Sequence, residues 1–368
     1  MQDIPERPDQ IEAKWLEGAL EDQFPGVRVA SVTCSDVAQG TNQNARIQVE
    51  YKESSGAPRL FFAKLPPGGE PQRSLVLGSG MGRREILFYR ELTVDLPLRV
   101  PQAYVAEIDE VSQRFLLLIE DLEASGCDFP DPEQGVGLTL AQQAMDDLAA
   151  LHEHFARLES ETSPSPFIEP PLRTPEFAQG MLKHALGHRR EKMNSAFADI
   201  TELYLESPLD VHDAWEIGDS VVSHGDTHLT NLFVENGRLG YFDWGCFSRA
   251  PAMRDVSYFI CMALSIEDRQ RSETELLKRY LSRRKKLGGQ PPSLHRAWED
   301  FKLQASYTVI AAAPTLLHPD ERDTPDARYA RLFSARAMAA VADHASDERL
   351  AEAVSEQKKR KSAKEQTD

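Results

Sequence analysis

The stretch from Val221 to Gly245, V-V-S-H-G-D-T-H-L-T-N-L-F-V-E-N-G-R-L-G-Y-F-D-W-G, constrains this chain more than any other. An apolar strand ends at His224, and a polar loop carries Asp226 and Asn231. A hairpin turning at Asn236-Gly237 then brings a second apolar strand to Asp243. Two carboxylates and a carboxamide thus reach adjacent strand ends. All three are oxygen donors, which suits magnesium, a hard cation, and not zinc. Phosphoryl transfer needs such a set: ions neutralise phosphate oxygens while a carboxylate accepts or orients the proton of an attacking hydroxyl.

The 368 residues, 41% hydrophobic and 27% charged, suffice for a large core in two lobes. No run of about 18 apolar residues exists, so no membrane insertion is expected. The acidic, proline-bearing N-terminus does not read as a signal peptide, and the expected location is cytoplasmic. Cys34, Cys127, Cys246 and Cys261 stand far apart without a CxxC pair, which predicts reduced, packed thiols. A formal charge of -17 argues against binding nucleic acid, whose affinity comes from clustered Lys and Arg. The excess is concentrated: residues 101–170 hold 15 Asp or Glu against Arg114 and Arg157. That stretch reads as a solvated face, with attraction of a cationic substrate as the alternative.

Periodicity predicts a helix over 11–23, then strands over 27–34, 45–51 and 60–65 in an antiparallel meander. A flexible linker at Gly78, Gly80 and Gly82 leads to a helix over 83–92 and strands over 104–108 and 115–119. Past residue 122 helices dominate, over 139–158 with Thr139 as N-cap, 176–192, 194–206, 265–286, 294–313 and 326–344. Residues 163–175 form a Pro-rich loop, and 356–368 read as a disordered tail. The expected class is α+β, with an N-lobe over 1–119, a linker over 120–123 and a C-lobe over 124–355.

The spacing His224-x-Asp226-x-x-x-x-Asn231, followed by Asp243-Trp244-Gly245, resembles the aminoglycoside phosphotransferase and choline kinase superfamily of protein-kinase-like fold. Arg84-Glu85, Phe88-Tyr89, Lys64-Leu65-Pro66 and Glu120-Asp121-Leu122 lean toward its ecdysteroid-kinase-like branch. The resemblance implies a bilobal kinase-like fold and transfer of phosphate from ATP, with Mg2+, to a hydroxyl group of a small molecule. It assigns catalysis to Asp226 and magnesium binding to Asn231 and Asp243. Lys64 contacts the nucleotide phosphates, Glu85 holds Lys64, and Glu91 is a competing partner. Gly40, Thr41 and Asn42 form the ATP loop in place of a glycine-rich one, and the backbone of Glu120, Asp121 and Leu122 meets adenine. Asp255 braces the catalytic loop, His224 is a structural support, the helix ending Leu148-Ala149-Ala150-Leu151-His152 matches a helix of the second lobe, and His228 takes the place of a lysine of protein kinases. Tyr307, Val309, Ile310, Leu316 and Leu317 favour a hydrophobic alcohol as acceptor, whereas the acidic stretch favours an aminoglycoside or choline. Two other readings are a catalytically silent nucleotide-binding module acting through a partner and a metal-dependent hydrolase using His224, Asp226 and His228.

Overall fold

The computed structural model describes residues 3–36, 41–53, 56–70, 72–161, 168, 175–318 and 324–365. Gly40 of the expected ATP loop lies outside them. The chain divides into two compact units: Met1–Asp128 with Phe233–Phe247, and Phe129–Leu232 with Ser248–Asp368. The hairpin that ends at Asp243 therefore groups with the N-terminal sheet, not with the C-terminal helices as the sequence suggested.

In the first unit, α1 (Ala13–Leu20) precedes strands β1 (Val29–Asp36), β2 (Gln43–Tyr51), β3 (Leu60–Leu65), β4 (Ala103–Ile108) and β5 (Phe115–Glu120). They form one antiparallel sheet in the order β1-β2-β3-β5-β4. Alternation on β2 sends Ala45, Ile47 and Val49 into a core with Leu16 and Leu20, and leaves Arg46 and Gln48 on the other face. Interior β5 is buried from Phe115 to Ile119, which fits its unbroken apolar run.

The expected linker at 78–82 is instead helical: α2 (Gln72–Ser79) and α3 (Met81–Leu87) meet at Gly80, whose φ of 72° favours glycine. Gly82 lies against Phe115, where a Cβ would fall 2.2 Å from the ring, so this glycine lets α3 approach the sheet. The helix ends in a π-helical turn, Phe88–Leu92, a deformation frequent at functional sites. The hairpin pairs Leu232–Glu235 with Arg238–Tyr241 through Asn236 and Gly237, both at positive φ.

The second unit is mostly helical: α4 (Leu138–Glu161), α5 (Pro175–Arg189), α6 (Ser195–Glu206), α7 (Pro208–Trp215), α8 (Ala252–Ala263), α9 (Ile266–Lys286), α10 (Leu294–Ala305), α11 (Thr308–Ala312), α12 (Pro325–Asp343) and α13 (Ser346–Glu365). Every residue of α8 is buried, as expected of a helix with neighbours on all sides. Ser220–Ser223 pairs antiparallel with Ser248–Pro251 and leads directly into α8. Three expectations need correction. Thr139 lies inside the first turn of α4, not at its cap; the run over 294–313 breaks after Ala305; and the supposed tail is helical as far as Glu365. That last helix is held by Lys361, whose Nζ lies 2.8 Å from Asp210 and 2.6 Å from Asp213 on α7. No helix among the described residues is long and apolar enough to cross a membrane.

Candidate active site

In the first unit Lys64 sits near the end of β3, directly opposite Asn44 on β2 and Leu117 on β5. Its Nζ is 2.7 Å from Glu85 Oε1 and 3.2 Å from Asp243 Oδ1. Lys64 and Glu85 are buried, whereas the Asp243 side chain is 40% exposed. Burial alone would lower the lysine's pKa, but Asp243 and Glu85 outweigh it and hold the ammonium above its ordinary value. Glu85 moves upward through burial and the charge of Asp243, against the pull of Lys64. Glu91, the competitor, pairs with Arg90 at 2.8 Å.

Packing fixes this triad. Trp244 stacks on Phe88, with centroids 3.9 Å apart and planes within 8°, and so ties the Asp243 loop to the helix carrying Glu85. Asp243 has φ 62° and ψ 66°, left-handed values that cost a non-glycine residue about 1–2 kcal/mol and cluster at functional sites.

The segment expected to meet adenine is held by two arginines that the sequence did not reveal. Arg46 pairs with buried Asp121 and reaches Glu123 at 2.8 Å, while Arg99 Nη2 meets Glu120 Oε1 at 2.8 Å. The carbonyls of Asp121 and Leu122 accept from the amides of Ser125 and Cys127, both at 2.9 Å. Among the described residues no acceptor meets the Leu122 amide. Thr41 and Asn42 line a cavity of about 290 Å³ with Gln43, Pro67, Gly68 and Gly69.

In the second unit Asp226 follows the strand Ser220–Ser223. The Asn231 Nδ2 donates to the Asp226 carbonyl at 2.9 Å and to its carboxylate at 3.0 Å. His228 Nε2 lies 3.4 Å from the same carboxylate. Burial would raise the pKa of Asp226, but His228, His224 and Asn231 outweigh it and hold the group below the ordinary carboxylate value. The loop is braced from beneath by Asp255 on α8, which is fully buried. Asp255 accepts from Ser223 Oγ at 2.7 Å and from the amides of His224 and Gly225 at 2.9 and 2.8 Å. His152 of α4 lies 3.2 Å from that carboxylate and 2.7 Å from Tyr280 on α9.

In the first unit Asp243 keeps a part-exposed carboxylate; in the second, Asn231 spends its nitrogen on Asp226, which leaves its carbonyl oxygen as a donor, and each oxygen is of the kind a hard cation takes. Of the residues expected to favour a hydrophobic alcohol, Tyr307, Ile310 and Leu317 are half-buried. Val309 and Leu316 are buried in the core, and Tyr307 lies under the Arg254 guanidinium at 4.3 Å.

The first unit thus holds a lysine fixed by two carboxylates, and the second holds a separately braced aspartate loop. The chain matches the phosphotransferase enzyme family over residues 41–298, and it belongs to that family. Among solved structures, a choline kinase from Streptococcus pneumoniae is 16% identical, with 90% of this chain and 98% of that one covered and a TM-score of 0.52. A choline kinase from Cryptosporidium parvum is 12% identical, covers 92% and 97%, and has a TM-score of 0.57. These likenesses are of fold, and the expected kinase-like α+β class holds. No curated protein matches in sequence.

Proposed function

We propose that this chain is an ATP- and magnesium-dependent phosphotransferase that phosphorylates a hydroxyl group of a small molecule. The Lys64, Glu85 and Asp243 triad carries the reading: a permanently charged ammonium is fixed beside a part-exposed carboxylate. Lys64 holds the α- and β-phosphates, and Glu85 fixes its ammonium from the helix side. The Leu122 amide, free among the described residues, offers a donor to the adenine edge. Magnesium, held by Asn231 and Asp243, would neutralise the phosphate oxygens. Asp226, kept ionised by its histidine neighbours, accepts the proton of the acceptor hydroxyl as that oxygen attacks the γ-phosphorus in line and ADP leaves.

The chain between Gly245 and Arg254 is short, which leaves little room for a protein-docking segment and favours a small alcohol. The complete acid, lysine and metal-ligand set opposes the silent-module reading. Cytoplasmic residence belongs to the same proposal, supported by four cysteines that stand far apart without a CxxC pair.

Thermal melting with ATP, with magnesium chloride and with both tests the nucleotide site. The expected stabilisation is small with ATP alone and full only with both ligands, because a ligand stabilises only the state that binds it. It is strongly reduced in Asp243→Ala and kept in Asp226→Asn, whose transfer rate falls by about 10²-fold or more. Absence of any shift in the wild type, or near-normal turnover by Asp226→Asn, contradicts the proposal.

A further inference from the structure

Glu120, Cys127 and Glu235 place ligand atoms within 4.8 Å of one another, an arrangement that resembles a metal site. The guanidinium of Arg99 already occupies it. Arg99 Nη2 donates to both Glu120 oxygens at 2.8 and 2.9 Å, and its Nε donates to Glu235 Oε2 at 2.9 Å. Its plane lies over the Phe233 ring at 5.2 Å. The backbone is engaged as well: the Arg99 carbonyl accepts from the Tyr241 amide at 2.9 Å.

These contacts join two segments with different duties. Glu120 opens the segment assigned to adenine, whereas Glu235 and Tyr241 belong to the hairpin that ends at Asp243. The two segments also share a small core, in which Leu122 and Cys127 pack with Phe233 and Phe242. Asp128 and Val234 exchange backbone hydrogen bonds of 2.9 and 2.7 Å. A guanidinium fork that meets two carboxylates fixes direction as well as distance, which an ammonium cannot do.

We infer that Arg99 is a positioning residue that couples the nucleobase-contacting segment to the hairpin carrying the metal ligand Asp243. The inference rests on the proposed function, and its consequence is separable from it. Cutting only the hairpin arm, with Glu235→Gln, leaves the grip of Arg99 on Glu120 and therefore the adenine segment in place. Cutting both arms, with Arg99→Met, also leaves two carboxylates facing each other without a counter-charge.

Calorimetry measures ATP binding with EDTA and then the magnesium concentration giving half-saturation at saturating ATP. Hydrogen exchange follows the hairpin amides without either ligand. For Glu235→Gln the expected result is metal-free ATP affinity within about twofold of wild type, a magnesium half-saturation raised about fivefold, and faster exchange over 233–241. For Arg99→Met both binding constants weaken, and Arg99→Lys restores neither fully. A Glu235→Gln variant with wild-type magnesium half-saturation overturns the inference alone. So does a panel in which only the melting temperature changes, since that is the mark of a structural brace. Failure of the wild type itself to bind ATP overturns the proposed function together with this inference.

Discussion

Asp255 lies at the base of the loop that carries Asp226 and titrates in a way that can be measured. Burial would raise its pKa, but His152, His224 and Ser223 outweigh burial and hold it below the ordinary carboxylate value. A depressed folded-state pKa contributes stability that is fully present above the unfolded value of about 4 and is lost as pH falls through the lower folded one. Asp255→Ala should therefore cost about 3–5 kcal/mol at neutral pH, because it strands a buried hydroxyl and two amides beside His152. The gap to wild type in urea unfolding should shrink below about pH 4. A gap that stays constant from neutral pH down to about pH 3 would assign the loss to the cavity alone. Single residues also show what a sequence conceals. Lys64 and Asp243 were legible because each ends an apolar strand, but the pairing of His152 with Tyr280 joins residues 128 positions apart. Arg46 and Arg99 look like solvated arginines until the fold sets them against Asp121 and Glu120.

Helix α3 owes its position to one missing side chain. Gly82→Ala places a methyl 2.2 Å from the ring of Phe115 on β5. The helix must shift, and Glu85 shifts with it. We expect a loss of about 1–3 kcal/mol in stability, together with weaker ATP binding, since Lys64 loses part of its support. Gly78→Ala, one turn earlier in open space, serves as the control and should leave both measurements near wild type. Equal behaviour of the two variants would contradict this packing argument. The strands were readable because β-branched and aromatic runs alternate between Gly, Pro and Asn punctuation. Helices failed in the reading where the apolar stripe is sparse. In α13 only Leu350, Ala353 and Val354 are buried apolar anchors, and polar pairs with α7 complete the attachment. The glycines around position 80 misled for a related reason, since glycine weakens a helix yet is required where a helix must touch a ring.

Across the whole chain the charge of -17 is less bare than its distribution suggests. Of the fifteen acidic residues between positions 101 and 170, at least eight among the described ones are paired with arginines: Asp109, Glu110, Glu120, Asp121 and Glu123, then Glu133, Asp146 and Glu153. Most of those arginines come from distant sequence, including Arg46, Arg83, Arg99, Arg279 and Arg284. A carboxylate already facing a guanidinium contributes little field at a distance, because the pair is a dipole and salt screens exposed charges beyond about 10 Å. The stretch thus acts as internal wiring that ties elements together rather than as a funnel for a polycationic acceptor. Electrostatic capture would make the acceptor's KM rise steeply with ionic strength, as steered association does. For an acceptor that turns over, we expect KM to change less than about threefold between about 0.05 and 0.5 M sodium chloride, measured at saturating ATP and magnesium. A rise of tenfold or more would restore the acidic surface as the recognition element and would favour an aminoglycoside-like acceptor over a neutral alcohol.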